Sequence, residues 1–296
     1  MFGSLTFSNP VLAASGTFGY AYEMEGVFDL SRLGGIIPKT VTLNPRPGNL
    51  PPRTVETASG LLNSIGLDND GIDDFLSNKL PYFKTLGTKI IISIAPKNTE
   101  ECLIFGEKLG LVTGIDAVEL NVSCPNVSGG IDFATDPKLC EKIVSTFRHS
   151  TLLPVLVKLS PNVHDIGVVA RGAEQGGADG ISAINTCLGL SVDWRKRRSR
   201  IGNGFGGLSG PAIKPIALRC VRQIFKSVKI PILGIGGIET IDDVMEFFVT
   251  GASAVQIGTA NFYNPTATIQ ILEALPNALN ELGVKNVAEI VGTLEM

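Results

Sequence analysis

The chain has 296 residues and a net charge of −3. That is too long for one small module and close to the roughly 250 residues of a single α/β barrel. Hydrophobic residues make up 44% and charged residues 18%, so a large core is available and general disorder is excluded. The acidic balance argues against a broad nucleic-acid surface and for a small-molecule protein.

In chain order, β-branched runs predict eight strands, at 10–15, 35–42, 89–95, 117–123, 154–160, 180–186, 231–236 and 254–259. Most are nearly continuous in Val, Ile and Leu, as strands covered on both faces should be. Helix signals fall between them. Asp70 leads into a helix at 72–80, Thr99 into 101–111, and Asp136-Pro137 into 139–149. Pro211 opens 213–228, and Thr240 with Asp243 three residues later reads as a capping box. Strand–helix alternation repeated eight times predicts the α/β class and a closed (β/α)₈ TIM barrel. The competing doubly wound open sheet usually has fewer strands and one phosphate-binding turn near its start. No composition shift divides the chain, so residues 1–296 are expected to form one domain. Two longer stretches, proline-rich 43–60 and glycine-rich 188–210, read as loops over the barrel mouth.

No run approaches the ~18 apolar residues that a membrane span needs. The first ten residues carry neither Lys nor Arg and no apolar stretch, so no leader is expected. Five cysteines (Cys102, Cys124, Cys140, Cys187 and Cys220) include no C-x-x-C pair. The odd count fits neither a disulfide framework nor a zinc or iron–sulfur site, and points to a reducing cytoplasm.

Barrel chemistry collects at the C-terminal ends of the strands. Here those ends read Ser15-Gly16, Lys39-Thr40, Ser93, Asn121, Lys158, Asn185-Thr186, Gly236-Gly237 and Gly258-Thr259. An ammonium inside an apolar strand is costly unless paired. Each lysine therefore either meets a carboxylate or faces an anionic ligand; with no Asp or Glu at the other strand ends, the ligand is the expectation. Glycine turns after strands seven and eight allow backbone N–H groups to approach phosphate oxygens. Together they predict a phosphorylated cofactor. The segment Asn121-Val122-Ser123-Cys124-Pro125-Asn126 puts a thiol just past a strand end. A lone cysteine is commonly an inert buried residue, but a thiol there can act as a general base if cations favour the thiolate. Only His149 and His164 are present, and neither makes a cysteine-hydrolase motif.

Several motifs then occur in order: Asn63-Ser64-Ile65-Gly66-Leu67, the cysteine segment, Val157-Lys158-Leu159-Ser160-Pro161-Asn162, Ile184-Asn185-Thr186 and Gly206-Gly207-Leu208-Ser209-Gly210-Pro211. With the two glycine turns, the chain resembles the dihydroorotate dehydrogenases, flavin enzymes of pyrimidine synthesis, over nearly its full length. The resemblance implies FMN across the barrel mouth and dihydroorotate stacked on it. Cys124 would take the C5 proton while hydride leaves C6 for flavin N5. Lys39, Asn63, Ser64, Ile65, Gly66, Leu67, Asn121, Asn185 and Thr186 would hold the substrate. Ser15, Lys39, Thr40, Ser93, Asn121, Lys158, Ile184 and Gly210 would contact the flavin, and Gly236, Gly237, Gly258 and Thr259 its phosphate. No metal is implied.

The membrane-associated, quinone-linked branch uses a serine base, which this chain lacks. Of the two cysteine branches, one is a homodimer that reduces fumarate. The other passes electrons to NAD⁺ through a partner subunit carrying FAD and a 2Fe-2S cluster, in an assembly built on a homodimer core or a heterotetramer. Residues 121–130 and 206–219 resemble the NAD-linked branch more closely. A flavin enzyme acting on another pyrimidine is the remaining alternative. Gly202-Asn203-Gly204-Phe205-Gly206-Gly207 matches G-x-G-x-x-G but follows a basic loop, not an apolar strand, so it is no dinucleotide fingerprint. The run Arg195-Lys196-Arg197-Arg198 reads as a solvated or partner-docking loop rather than a nucleic-acid site.

Overall fold

The structure is a computed structural model that describes residues 1–123 and 133–295. Its strands, in chain order, are β1 (Val11–Ala13), β2 (Gly35–Ile36), β3 (Thr54–Thr57), β4 (Gly60–Asn63), β5 (Ile91–Ile94), β6 (Ala117–Asn121) and β7 (Val155–Leu159). They continue with β8 (Gly180–Ala183), β9 (Cys187–Gly189), β10 (Val192–Asp193), β11 (Arg198–Ser199), β12 (Gly206–Ser209), β13 (Ile232–Ile235) and β14 (Ala254–Ile257). Eight of them form one parallel sheet in the order β2-β1-β14-β13-β8-β7-β6-β5. Its two end strands meet: the Ile36 N–H donates to Lys89 O at 2.8 Å, and the Val41 N–H to Ser93 O at 2.8 Å. The sheet is therefore a closed (β/α)₈ TIM barrel, and all eight of its strands fall where the apolar runs predict them.

The helices are α1 (Gly71–Asp74), α2 (Leu80–Phe83), α3 (Thr99–Gly110), α4 (Pro137–Ser150), α5 (Ile166–Gln175), α6 (Lys214–Phe225), α7 (Ile241–Thr250), α8 (Ala260–Tyr263) and α9 (Ala267–Glu281). The predicted helix at 72–80 is broken by a π turn at Phe75–Lys79 between α1 and α2. Starts follow the caps. Asn98 accepts from the Glu101 N–H, Asp136 from Lys138 and Leu139, and Asp165 from Gly167. The Thr240–Asp243 capping box is present at α7. Each such cap satisfies an amide that helix geometry leaves without a partner.

The two stretches read as loops contain strands. β3, β4, β12 and β9 form a second, antiparallel sheet at the mouth, and β10–β11 a small hairpin beside it. They are only two to four residues long, so they carry no apolar run long enough to announce them. Asn63 on β4 pairs with Gly207 on β12, across 144 positions of sequence, a partnership that local pattern does not encode.

Inward positions alternate along each barrel strand. Leu12, Ile37, Ile91, Ala117, Leu156, Leu233 and Ala254 form an apolar layer, plugged from below by Phe2 and Leu5. The next inward positions up are polar: Ser93, Glu119, Ser182 and Gln256, all at 0% exposure. The larger apolar cluster joins the outer faces of the strands to the helices. Among the described residues no helix is long and apolar enough to cross a membrane.

Candidate active site at the barrel mouth

Above the polar layer lies a cavity of about 820 Å³, within the range of roughly 300–1,000 Å³ usual for small-molecule and cofactor sites. Of the residues singled out from sequence, Ser15, Lys39, Thr40, Asn63, Ile65, Leu67, Asn121, Lys158, Ile184, Asn185, Thr186, Gly210, Gly236, Gly237, Gly258 and Thr259 all line it. Cys124 lies outside the described residues.

Three predicted contacts depart from this. Ser93 is fully buried beneath the cavity, its hydroxyl 2.9 Å from Thr40 Oγ1, which in turn stands 3.0 Å from Ser15 Oγ. Ser64 and Gly66 face the 43–53 segment instead. The Asn49 amide donates to Ser64 Oγ at 2.8 Å, and Gly66 packs against Asn49. A five-residue motif in a turn cannot aim every side chain inward, so only Asn63, Ile65 and Leu67 reach the cavity.

The asparagines form a connected amide surface. Asn185 Nδ2 donates to Asn121 Oδ1 at 3.4 Å, and Asn121 Oδ1 also accepts from the Ser123 N–H at 3.1 Å. Asn162 fastens the neighbouring loop, donating to Thr186 O at 3.1 Å and accepting from the Leu188 N–H at 2.8 Å. Such a surface offers both donors and acceptors to a ring carrying amide edges.

The expectation that neither lysine has a carboxylate holds for one of them. Lys39 is half-buried and has no ion-pair partner among the described residues. Lys158, only 7% exposed, has Nζ 3.6 Å from Glu119 Oε1. The carboxylate sits two positions before the end of β6, pointing the same way as Asn121, so a scan of strand ends misses it. A Glu inside Ala-Val-Glu-Leu-Asn was the available signal, as was Gln256 inside Ala-Val-Gln-Ile. Glu23 and Glu239 also line the cavity; burial, and then the charge of Asp243, pushes the Glu239 carboxyl up.

At the opposite wall Gly236 (φ +121°) and Gly237 (φ +78°) turn the chain after β13. A Cβ on Gly237 would come within 2.7 Å of the Lys214 backbone N. Lys214 is fixed in turn by Asp243, at 2.6 Å. Burial raises the Asp243 carboxyl, but hydrogen bonds from Lys214 Nζ and from the N–H groups of Glu239 and Thr240 outweigh it, and the carboxyl ends below its usual range. Such glycine turns, with Gly258-Thr259 beside them, let amides approach an anion without side chains between.

Burial disfavours the thiolate of each of the four described cysteines. Burial pushes Cys102 and Cys140 up to about 12 and raises Cys187 and Cys220. No group of three or more His, Cys, Asp or Glu among the described residues could hold a metal.

The dihydroorotate dehydrogenase family profile matches residues 1–279. The chain belongs to the dihydroorotate dehydrogenase family. It is thus an oxidoreductase, and its barrel is that family's fold. A Desulforamulus reducens protein named dihydroorotate dehydrogenase B (NAD(+)), catalytic subunit, is 49% identical over 99% of this chain and 97% of its own length. Proteins of the same name are 47% identical in Geotalea uraniireducens, over 97% of this chain and 94% of their own, and 44% identical in Listeria monocytogenes, with the same coverage. At the barrel mouth an amide surface, a lysine with no ion-pair partner among the described residues and two glycine turns share one cavity.

Proposed function

We propose that the chain oxidises dihydroorotate to orotate in pyrimidine synthesis, as the FMN-bearing catalytic subunit of an NAD⁺-linked enzyme. One observation carries the reading. In a chain of this family, the cavity sets Lys39 and the Asn63–Asn121–Asn185 amides on one side and the Gly236-Gly237 and Gly258-Thr259 turns on the other. The residues fit FMN: glycine turns that carry no side chain toward the cavity suit its phosphate, and Lys158 suits its electron-rich ring edge. When bound, FMN supplies the acceptor for the hydride that leaves C6 of the substrate.

The protein's own part is to bind, orient and move one proton. Lys39 pairs with the substrate carboxylate, and the asparagine amides with Thr186 match the ring's N–H and C=O edges. Cys124 takes the C5 proton, so that the C5–H electron pair becomes the C5=C6 double bond as hydride departs. A thiol serves as a base only as its thiolate, which a neighbouring cation would favour. Ser15, Thr40, Ile184 and Gly210 line the flavin's berth, with Ser93 supporting Thr40 from below. Ser64 and Gly66 act by shaping the turn that presents Asn63, Ile65 and Leu67.

The shared name of the relatives supports the NAD⁺ branch over fumarate. A partner subunit with FAD and a 2Fe-2S cluster would then carry the electrons onward, since the described cysteines offer no cluster site.

Anaerobic titration of the purified FMN-loaded protein with dihydroorotate tests the reading. Bleaching of the flavin absorbance is the expected result. Cys124→Ala should retain flavin and lose the bleaching, and a colourless protein that takes up no FMN would overturn the flavoenzyme reading.

A further inference from the structure

Glu119 is the least expected group in the barrel. Its side chain is completely buried in the lumen, one inward position below Asn121. Its Oε2 accepts from Gln256 Nε2 at 2.8 Å. β14 and β6 are separated in the sheet by β13, β8 and β7, so this hydrogen bond crosses the lumen. Gln256 Nε2 also lies 3.3 Å from Ser182 Oγ. Glu119 Oε1 has no hydrogen-bond partner among the described residues and faces Lys158 Nζ at 3.6 Å.

That separation is longer than the roughly 2.7–2.9 Å of a charge-assisted hydrogen bond. The ammonium is therefore held by attraction without spending a donor on the carboxylate. Nζ makes no hydrogen bond among the described residues, although Lys158 lines the cavity. Its N–H groups are left to face whatever occupies the floor of that cavity. The remaining lumen neighbours, Ser93, Ser182 and Gln256, are uncharged.

A carboxylate in this position is costly to bury, and a glutamine of the same shape could still pair with Gln256. What the carboxylate adds is charge. We propose that Glu119 is a positioning residue: it holds Lys158 at the cavity floor and offsets part of its positive charge, and so sets how readily the bound flavin takes up electrons. The proposal rests on the reading that FMN lies over Lys158. Lys39 has no such counter-ion among the described residues, so the two lysines at one mouth stand in different electrostatic settings.

The test uses the FMN-loaded protein equilibrated anaerobically with a reference dye, reading the ratio of reduced to oxidised flavin at a fixed poise. FMN affinity is measured separately by fluorescence. Glu119→Gln removes the offsetting charge beside Lys158 and should raise the ratio about tenfold. Gln256→Leu breaks the cross-lumen hydrogen bond but leaves both charges, and should stay within about threefold of the parent protein. If Glu119→Gln does not accumulate in folded form, Glu119→Asp withdraws the charge by one methylene and should raise the ratio by less. An unchanged or lower ratio in the Glu119 variants overturns the proposal, as does an equal rise in Gln256→Leu, which would mark the effect as packing. If the parent protein takes up no FMN, both the proposal and the flavin reading fall. If it takes up FMN but the ratio does not move, only the Glu119 proposal falls.

Discussion

The lower and upper halves of the barrel lumen are built from the same strands and obey the same alternation, yet they hold opposite chemistry. Below, Leu12, Ile91, Leu156 and Leu233 meet under a plug of Phe2 and Leu5. Two residues further along the same strands stand Ser93, Lys158 and Ile235, with Glu119 and Gln256 beside them. One inward step changes a layer that only excludes water into one that is charged and can serve a ligand. The lower half closes the floor of the barrel, and the upper half gives the cavity its polar groups.

Substitutions should separate these two contributions. Leu156→Ala in the apolar layer should cost about 2–5 kcal/mol of stability, seen as a lower thermal midpoint, while any protein that remains folded binds orotate as before. Lys39→Ala should do the reverse. Losing a charge-assisted contact should weaken orotate binding by about 1.5–3 kcal/mol, measured by calorimetry, with the thermal midpoint little changed. A fall in both properties for either variant would break the division between the halves.

Gly237→Ala tests the opposite wall. An L side chain at its left-handed φ costs about 1–2 kcal/mol, and here it also presses on Lys214. FMN affinity should fall while dihydroorotate recognition by flavin-loaded protein is kept.

The smallest effect is acid dependence. Asp243 has a lowered carboxyl in the folded protein, so its contribution is full above the unfolded value near pH 3.9 and is lost as pH falls through the folded one. Asp243→Asn should therefore flatten the acid limb of a stability-against-pH curve below about pH 4 and lower stability at neutral pH.

The barrel was legible because its strands are buried on both faces and so read as nearly continuous apolar runs, from Ile90–Ile94 to Ala254–Ile257. Most mouth residues were legible because strand ends in a barrel converge. The mouth sheet was not, since its strands are three or four residues long and β12 pairs with β4 across 144 positions. Ser64 and Gly66 do not line the cavity, because a motif gives the order of residues but not which way a turn points them. Glu119 was overlooked because it stands inside a strand and not at its end, although a charged residue in Ala-Val-Glu-Leu-Asn is conspicuous once lumen positions are counted by twos.

The pairing of Gly60–Asn63 with Gly206–Ser209 has a kinetic consequence. Closing a loop of that length carries an entropy cost that local contacts do not repay, so the mouth sheet is expected to form after most of the barrel between its strands. The mouth is then expected to be late in acquiring its shape and early to open. Amide exchange should be fastest there in ligand-free protein. A ligand that binds only the assembled mouth would slow that exchange by mass action, so that cofactor and substrate complete the folding of the surface that receives them.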